Sequence, residues 1–274
     1  MLIIDLTKHY IRHVIQHNDI ARYESAFPEL FQHYHTFWAP LQAYSFRDAE
    51  EIARRRDFVI GRLPLLSKRF EEKGLNVTNI DIVLLVGHGT SNGHAFPLTT
   101  RWIVWLPLET YHSPQAVDVF VSHEIAHALH YQQQPAFYFR NEYEKNKVFR
   151  QLVTEGIATF ISKEVLSISN EQALWADYLP FDRVQQWYEA CLEREEEIFR
   201  VLADELDCSD RRNRLFSFSE TDNVLENRAG YYAGLILIER YVKQQCLTLQ
   251  DLLGTSEKRF WQIIQISLGR NEPI

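Results

Sequence analysis

The segment VSHEIAHALH, residues 121–130, places two histidines four positions apart in a long stretch without helix breakers. Pro114 suits the first turn of a helix, and no further proline or glycine follows until Pro135. Residues four apart on a helix lie on one face, about one turn apart. The lack of breakers predicts a helix here, and on a helix His123 and His127 can direct ring nitrogens at one metal ion.

Glu124 follows the first of these histidines directly. On a helix it is offset from His123 by about 100° around the axis, so it would lie beside a metal ion and not on it. That is the place for a general base that activates water, and the arrangement is the HExxH motif. Two histidines do not complete a catalytic zinc site, because such a site uses three protein ligands and leaves a fourth position for water.

Two residues are candidates for the third ligand. His130 lies on nearly the same face, but three ligands on adjacent turns of one straight helix seldom converge on a tetrahedral ion, which favours a role beside the site or at the surface. Glu155, in QLVTEGIATFIS, lies 28 residues after His127, which leaves room for a turn and a returning helix. It falls within an apolar stripe, where a carboxylate is costly unless it is paired or binds a metal. Gly156 follows it and would allow close helix–helix approach.

HExxH followed by a helix with Glu-Gly resembles the gluzincin class of zinc metallopeptidases, and HEIAH and TEGIATF are the matching residues. More specifically, the chain resembles a bacterial family of predicted Zn-dependent proteases of uncharacterised function. That family pairs these motifs with a Gly-Tyr-x-x-Gly helix start, here residues 230–234, and the resemblance covers roughly residues 80–245. A metzincin relation fails because the glycine position holds His130, the third-histidine position holds Gln133, and the sole methionine is Met1.

The resemblance implies a zinc site and a hydrolytic reaction. His123, His127 and Glu155 would hold Zn²⁺, and Glu124 would act as general base for a metal-activated water. Where some gluzincins carry a further carboxylate four residues after the glutamate ligand, this chain has Thr159. We therefore expect zinc-dependent peptide-bond hydrolysis. The alternatives are a catalytically inactive zinc-binding or peptide-binding regulatory protein on the same scaffold, and a helical protein whose HExxH binds nothing.

Gluzincins also use a tyrosine or histidine to stabilise the oxyanion, and Tyr231 occupies the matching position. Tyr232 and Arg228 are alternatives, and a core tyrosine at the start of a helix is a further interpretation of Tyr231. In this class an edge strand beside the active-site helix holds the substrate backbone. Residues 87–96, GHGTSNGHAF, would form that rim, although a plain hairpin loop is the simpler interpretation.

The remaining patterns predict a mostly helical α+β fold with a small antiparallel sheet beside the HExxH helix. Residues 79–87 and 101–109 are short apolar runs that predict two strands, and Pro107 suggests an edge position or the end of the second strand. Besides the HExxH helix, the sequence predicts helices over residues 5–35, 47–73, 142–167, 181–207, 228–246 and 256–267.

A single zincin-like metallopeptidase domain over residues 1–274 is the simplest organisation. Within it we expect N-terminal helices in 1–75, the sheet and the HExxH helix in 79–135, and a helical part with the glutamate ligand in 142–274. The predicted helix over 181–207 contains the run EREEEIF, which is typical of a solvated face.

Composition narrows the range of partners. The formal net charge of −8 disfavours nucleic acid and anionic membrane as partners. Three scattered cysteines without a CxxC pair argue against a disulfide framework and a thiolate zinc site. The first residues lack the pattern of a signal peptide, and no stretch approaches the length of a membrane span. We expect a cytoplasmic protein that acts on a peptide or protein substrate, with its oligomeric state left open.

Overall fold

The chain is described by a computed structural model over residues 1–39, 44–210, 213–219, 221 and 223–270. Over these residues it is mostly helical with a small four-stranded sheet, which confirms the α+β class. The chain divides into two compact units. The first comprises Met1–Glu72 and Asn76–Ala128, and the second comprises Lys73–Leu75 and Leu129–Ile274. The single zincin-like domain stays a prediction.

The sheet belongs to the first unit and is mixed. Its strands in chain order are β1 (Ile3–Asp5), β2 (Ile80–Leu85), β3 (His94–Leu98) and β4 (Arg101–Pro107). The order across the sheet is β1-β2-β4-β3, with β1, β2 and β4 parallel and β3 antiparallel to β4. Every residue of β2 is buried, as its nearly continuous apolar run predicts for a strand covered on both faces.

The predicted antiparallel pairing of the two apolar strands is wrong. β2 and β4 are parallel because the chain between them crosses to the sheet edge and returns as β3, which reverses its direction. A tight turn, with Thr99 in the left-handed region at φ 55°, then leads into β4. The sequence pattern missed β3 because it contains Pro97, which lacks a backbone N–H and is tolerated at a sheet edge. β4 ends at Pro107, one of the two positions predicted for that proline.

Helices of the first unit lie before and after the sheet's central strands in sequence. The helices of the first unit are α1 (Thr7–Tyr10), α2 (Ile20–Glu24), α3 (Pro28–Phe37), α4 (Ala49–Glu72) and the larger part of α5 (Pro114–Gln133). The region predicted to be helical over residues 5–35 is divided, because Asp5 belongs to β1 and the helices are interrupted at Asn18 and again before Pro28. Asn18 has a left-handed backbone with φ 52°, and Asp19 then caps α2 by accepting a hydrogen bond from the Arg22 N–H at 3.0 Å. A proline at the first position begins α3 anew.

The second unit is built from helices. They are α6 (Glu142–Lys145), α7 (Val148–Leu166), α8 (Asn170–Trp175), α9 (Phe181–Glu193), α10 (Glu195–Glu205), α11 (Ala229–Gln245), α12 (Leu249–Leu253) and α13 (Glu257–Ser267). A longer connection over residues 206–228 lies between α10 and α11. The predicted acidic helix over 181–207 is in fact two helices, because the backbone of Arg194 departs from helical geometry between α9 and α10. In the described ranges, no helix combines the length and the apolar composition needed to cross a membrane.

Helices α7 and α11 cross with their backbones in contact. A Cβ atom added to Gly156 would lie 2.6 Å from the carbonyl carbon of Gly234, and a Cβ added to Gly234 would lie 2.6 Å from the carbonyl oxygen of Leu152. Only glycine fits at both positions, because a real Cβ atom does not approach other atoms so closely. The close helix approach predicted at Gly156 is therefore confirmed, and it fixes the backbone next to Glu155.

Candidate metal centre

The HExxH motif lies within α5. The Oγ of Ser113 accepts a hydrogen bond from the Ala116 N–H at 3.0 Å, which stabilises the first turn of this helix. His123 and His127 are both buried, with 8% and 4% of their surface exposed. Their ring centroids are 4.7 Å apart and their planes are nearly perpendicular, at 83°. The spacing of four residues thus brings the two imidazoles together, as a helix requires.

Glu155 completes a group of three possible metal ligands. It lies near the middle of α7, beside the glycine contact with α11, and it is partly buried. One ligand atom from each of His123, His127 and Glu155 lies within 4.8 Å of the other two. Among the residues that the structure describes, these three side chains form the one group of histidine, cysteine or carboxylate side chains that is close enough together to hold a metal ion.

The donor set of this group fits zinc. Two imidazoles and one carboxylate are a ligand set of catalytic zinc sites, which keep a fourth position open. Ligand atoms at ordinary zinc distances in a tetrahedron are about 3.4 Å apart, so separations of up to 4.8 Å need only small side-chain adjustments. Carboxylate–imidazole sites also accept other divalent metals, so the donor set favours zinc without excluding cobalt or manganese.

A model of the protein family described as predicted Zn-dependent protease (DUF2268) matches residues 75–262. The chain belongs to this family. The match contains the HExxH helix, the Glu-Gly helix and the Gly-Tyr-x-x-Gly segment, and it confirms the resemblance to a family of predicted Zn-dependent proteases. No protein of curated function matches the chain.

In this member of the family of predicted Zn-dependent proteases, the side chain of Glu124 is buried against a glycine that precedes β3. A Cβ atom added to Gly93 would lie 2.8 Å from Cγ of Glu124 and 3.1 Å from the carbonyl oxygen of Trp105. Gly93 has a φ of 151°, in the region that favours glycine. Its lack of a side chain therefore leaves room for the carboxylate arm of Glu124.

A buried tyrosine secures the loop that carries this glycine. The Tyr111 hydroxyl donates a short hydrogen bond to the carbonyl oxygen of Asn92. Burial raises the pKa of Tyr111 well above its ordinary value, and the charges of Glu124 and Glu109 raise it further. Tyr111 therefore stays protonated, and its hydroxyl remains a donor to the loop beside Glu124.

Tyr231, the expected oxyanion donor, lies in the first turn of α11 under a cation. The guanidinium carbon of Arg228 is 4.3 Å from the centroid of the Tyr231 ring and 4.7 Å from that of Trp175. Burial lowers the pKa of Arg228, and the charges of Tyr231 and Glu155 oppose that shift. Arg228 and Tyr231 thus lie close enough to Glu155 to share its electrostatic field.

Tyr232, an alternative to Tyr231, and His130, the alternative third ligand, both make contacts away from the three-ligand group. Tyr232 is fully buried and its hydroxyl donates to Oε2 of Glu195 at 3.1 Å, which directs it toward α10. His130 is also fully buried, with its ring centroid 4.7 Å from that of Phe137. It is not part of the three-ligand group, and the surface position considered for it is wrong because its side chain is fully buried.

Sequence reasoning missed the roles of Gly93 and Tyr111. The segment SNGHAF indicated a turn, but no sequence signal tells which glycine of a turn faces a side chain from another element. Tyr111 lies in an unremarkable stretch after β4, and its importance comes from a contact with Asn92 across the fold.

Proposed function

We propose that the chain is a zinc-dependent peptidase that hydrolyses peptide bonds in a peptide or protein substrate. The observation that carries this proposal is the group of His123, His127 and Glu155. The buried Glu124 directly follows the first of these ligands in sequence. When bound, zinc supplies Lewis acidity, which polarises a carbonyl group and makes water more acidic. The family description, a predicted Zn-dependent protease, supports the same reaction class.

Glu124 is the residue we assign as general base. Its carboxylate would take the proton from the attacking water and then deliver it to the leaving amine. The side chain is buried and occupies the space that the missing side chain of Gly93 leaves, so the carboxylate arm has a restricted set of positions. This restriction favours catalysis, because a base that is already in place loses little freedom when the substrate binds.

Tyr231 is the residue we assign to the oxyanion. Its phenol would donate a hydrogen bond to the carbonyl oxygen as negative charge develops there. The Arg228 guanidinium lies over its ring, and this cation–π contact holds the ring in place. Tyr232 is the weaker candidate because its hydroxyl already donates to Glu195.

β3 is the element that we assign to the substrate backbone. It lies at the sheet edge, and the loop before it contains Gly93, which contacts the proposed base. A peptide that extends the sheet along β3 would therefore pass close to Glu124, by the strand-addition mode common in peptide recognition.

Zinc content and hydrolysis, measured together on the purified chain without added metal or a histidine tag, test the proposal. We expect about one zinc per chain in the wild type and loss of zinc in Glu155→Gln. Glu124→Gln should keep the zinc and lose hydrolysis of a peptide library by about 100-fold or more. Glu164→Gln, a partly buried glutamate on the same helix as Glu155, is the control and should change neither quantity.

Two results would contradict the proposal. A wild-type chain that cannot take up zinc has no zinc mechanism, and its HExxH helix is then only structural. A chain that binds zinc but hydrolyses no peptide, with Glu124→Gln indistinguishable from wild type, is a zinc-binding regulatory protein and not a peptidase.

A further inference from the structure

The second unit contains a cleft of about 630 Å³. This volume is within the range of small-molecule sites, about 300–1,000 Å³. Aromatic side chains form part of its wall: the ring centroids of Phe149 and Trp261 are 4.8 Å apart in an edge-to-face pair, and Phe137 lies beside them. The cleft contains none of the residues assigned to zinc, and the inference below does not depend on the proposed peptidase activity.

Arg150 is the most buried charge in the lining of this cleft, with 9% of its surface exposed. Its guanidinium donates to the carbonyl oxygens of Phe137 (2.8 Å) and Lys145 (3.3 Å) and to the Tyr131 hydroxyl (2.8 Å). All three acceptors are neutral, and they use three of its five N–H groups. Among the described residues no carboxylate lies within ion-pair distance of it, so the structure buries this charge without a counter-charge, which is costly.

The acidic side chains of the cleft are already engaged. Glu144 accepts hydrogen bonds from the backbone N–H of Arg140 at 2.8 Å and from its Nε at 3.4 Å. Asp207 pairs with Arg270 at 3.0 Å. Glu257 is the first residue of α13, where the helix dipole favours a negative charge. The carboxylates of the cleft thus have partners other than Arg150.

Two lysines add to the positive charge. The Lys147 ammonium lies 5.3 Å from the centroid of the Tyr143 ring, and Lys258 is exposed at the rim. Neither makes an ion pair with any residue that the structure describes. The pKa of Glu144 is lowered mainly by the hydrogen bond from the Arg140 N–H, and Lys147 lowers it more weakly through its charge alone. The attraction between Glu144 and Lys147 is therefore long-range and not an ion pair.

We propose that this cleft binds an organic anion that joins a carboxylate to an apolar body of about the size of a phenyl ring. The two remaining N–H groups of Arg150 and the ammonium groups of Lys147 and Lys258 would hold the carboxylate. The aromatic wall with Phe149 and Trp261 would cover the apolar body. A free acid and the C-terminus of a peptide that ends in an aromatic residue share this chemistry.

Calorimetric titration of the whole chain with 3-phenylpropanoate and with 3-phenylpropanamide tests the proposal. These probes have the same shape and differ in charge, and neither contains a peptide bond between residues. We expect the acid to bind at least about tenfold more tightly than the amide, and this preference should weaken as salt is added. Equal binding of the two probes, or no binding of either, would overturn the proposal.

Variants locate the binding. Lys258→Glu should weaken binding of the acid severalfold and leave the amide unaffected, whereas Lys243→Glu makes the same charge change on α11 outside the cleft and should have no effect. Arg150→Lys should weaken it more, by about tenfold, because lysine cannot reproduce the fork of N–H groups. The exposed Lys258 keeps the test decisive if Arg150→Lys fails to fold. An unchanged affinity in Lys258→Glu and Arg150→Lys would overturn the proposal.

Two further titrations show whether the acid binds in this cleft or at the metal centre, and which kind of molecule supplies the anion. His127→Ala should bind 3-phenylpropanoate as the wild type does, and loss of binding there would assign the acid to the metal site and contradict the proposal. Titrated into His127→Ala, so that the proposed metal centre does not cleave it, an alanine tripeptide extended by a C-terminal phenylalanine should bind more tightly than 3-phenylpropanoate if a peptide chain end is the natural ligand. Equal affinity assigns a free acid, and either result supports a carboxylate site.

Discussion

The histidine ligands and the glutamate ligand of the candidate zinc centre depend on different kinds of structure. His123 and His127 are brought together by the geometry of α5 alone, because residues four apart always share a helix face. Glu155 depends on where α7 lies, and α7 is fixed against α11 by the contact between Gly156 and Gly234. Two of the three ligands are therefore set by local geometry, whereas the third is only as exact as one helix crossing.

Removal of a local ligand should have the largest effect on zinc. In His127→Ala, we expect zinc affinity to fall by more than about 100-fold, beyond the range seen when a supporting partner of a ligand is lost. The helical circular-dichroism spectrum of the metal-free chain should be unchanged, because the histidine spacing follows from the helix and does not create it. Competition with a chromophoric chelator measures the affinity, and the exposed His17→Ala is the control. Equal affinities in the two variants would exclude His127 as a ligand.

A change at the helix crossing should affect zinc without touching a ligand. In Gly234→Ala, the new Cβ would lie 2.6 Å from the Leu152 carbonyl oxygen, so α7 and α11 must separate. We expect a loss of about 1–3 kcal/mol in the free energy of unfolding, as for an overpacked core, and a zinc affinity about tenfold lower. Urea unfolding of the metal-free chain and chelator competition measure these effects. A destabilised variant that binds zinc normally would show that the crossing does not position Glu155.

A change beside the general base should separate catalysis from zinc binding. In Gly93→Ala, the added Cβ would displace the Glu124 side chain, so we expect zinc to be retained and peptide hydrolysis to fall by about 10- to 100-fold. Gly89→Ala is the matched control, since Gly89 also has a positive φ, 71°, but has no atom within 4 Å of its Cβ position. Equal losses in both variants would attribute the effect to backbone strain and not to the contact with Glu124.

The smallest effect should come from a glycine that makes no close contact. Gly61 lies within α4, and a Cβ added there has no atom within 4 Å. Gly61→Ala should therefore stabilise the chain by about 0.5–1 kcal/mol through helix propensity, with zinc affinity unchanged. Urea unfolding beside Gly234→Ala gives the comparison. If Gly61→Ala destabilised the chain as much as Gly234→Ala, the cost would belong to glycine replacement in general and not to the crossing.

The sequence predicted the parts of the fold and site that depend on local pattern. The two histidines of HExxH, the burial of β2 and the bounds of α4 and α11 all follow from periodicity within a single element. Glu155 was found because a carboxylate in an apolar stripe requires an explanation, and the three-ligand group is consistent with that reasoning.

The parts that sequence reasoning missed depend on contacts between distant residues. The parallel pairing of β2 with β4 requires β3 as an edge strand, and Pro97 obscured that strand. The break at Asn18 depends on a left-handed backbone, which asparagine tolerates but does not always adopt, so its presence in the sequence does not predict the break. Gly93 could be assigned to a turn, whereas its position against Glu124 is a property of the folded chain alone.

The left-handed backbone of Arg228 has a consequence for anyone who redesigns this protein. An arginine with a φ of 61° is strained by roughly 1–2 kcal/mol relative to glycine, and asparagine would also be tolerated there. A stability-guided redesign would thus select residue 228 among its first replacements, and the score would improve. It would at the same time remove the cation that lies over the Tyr231 ring. Where the backbone disfavours the residue that is present, the contacts of its side chain should therefore be tested for a role before the residue is replaced.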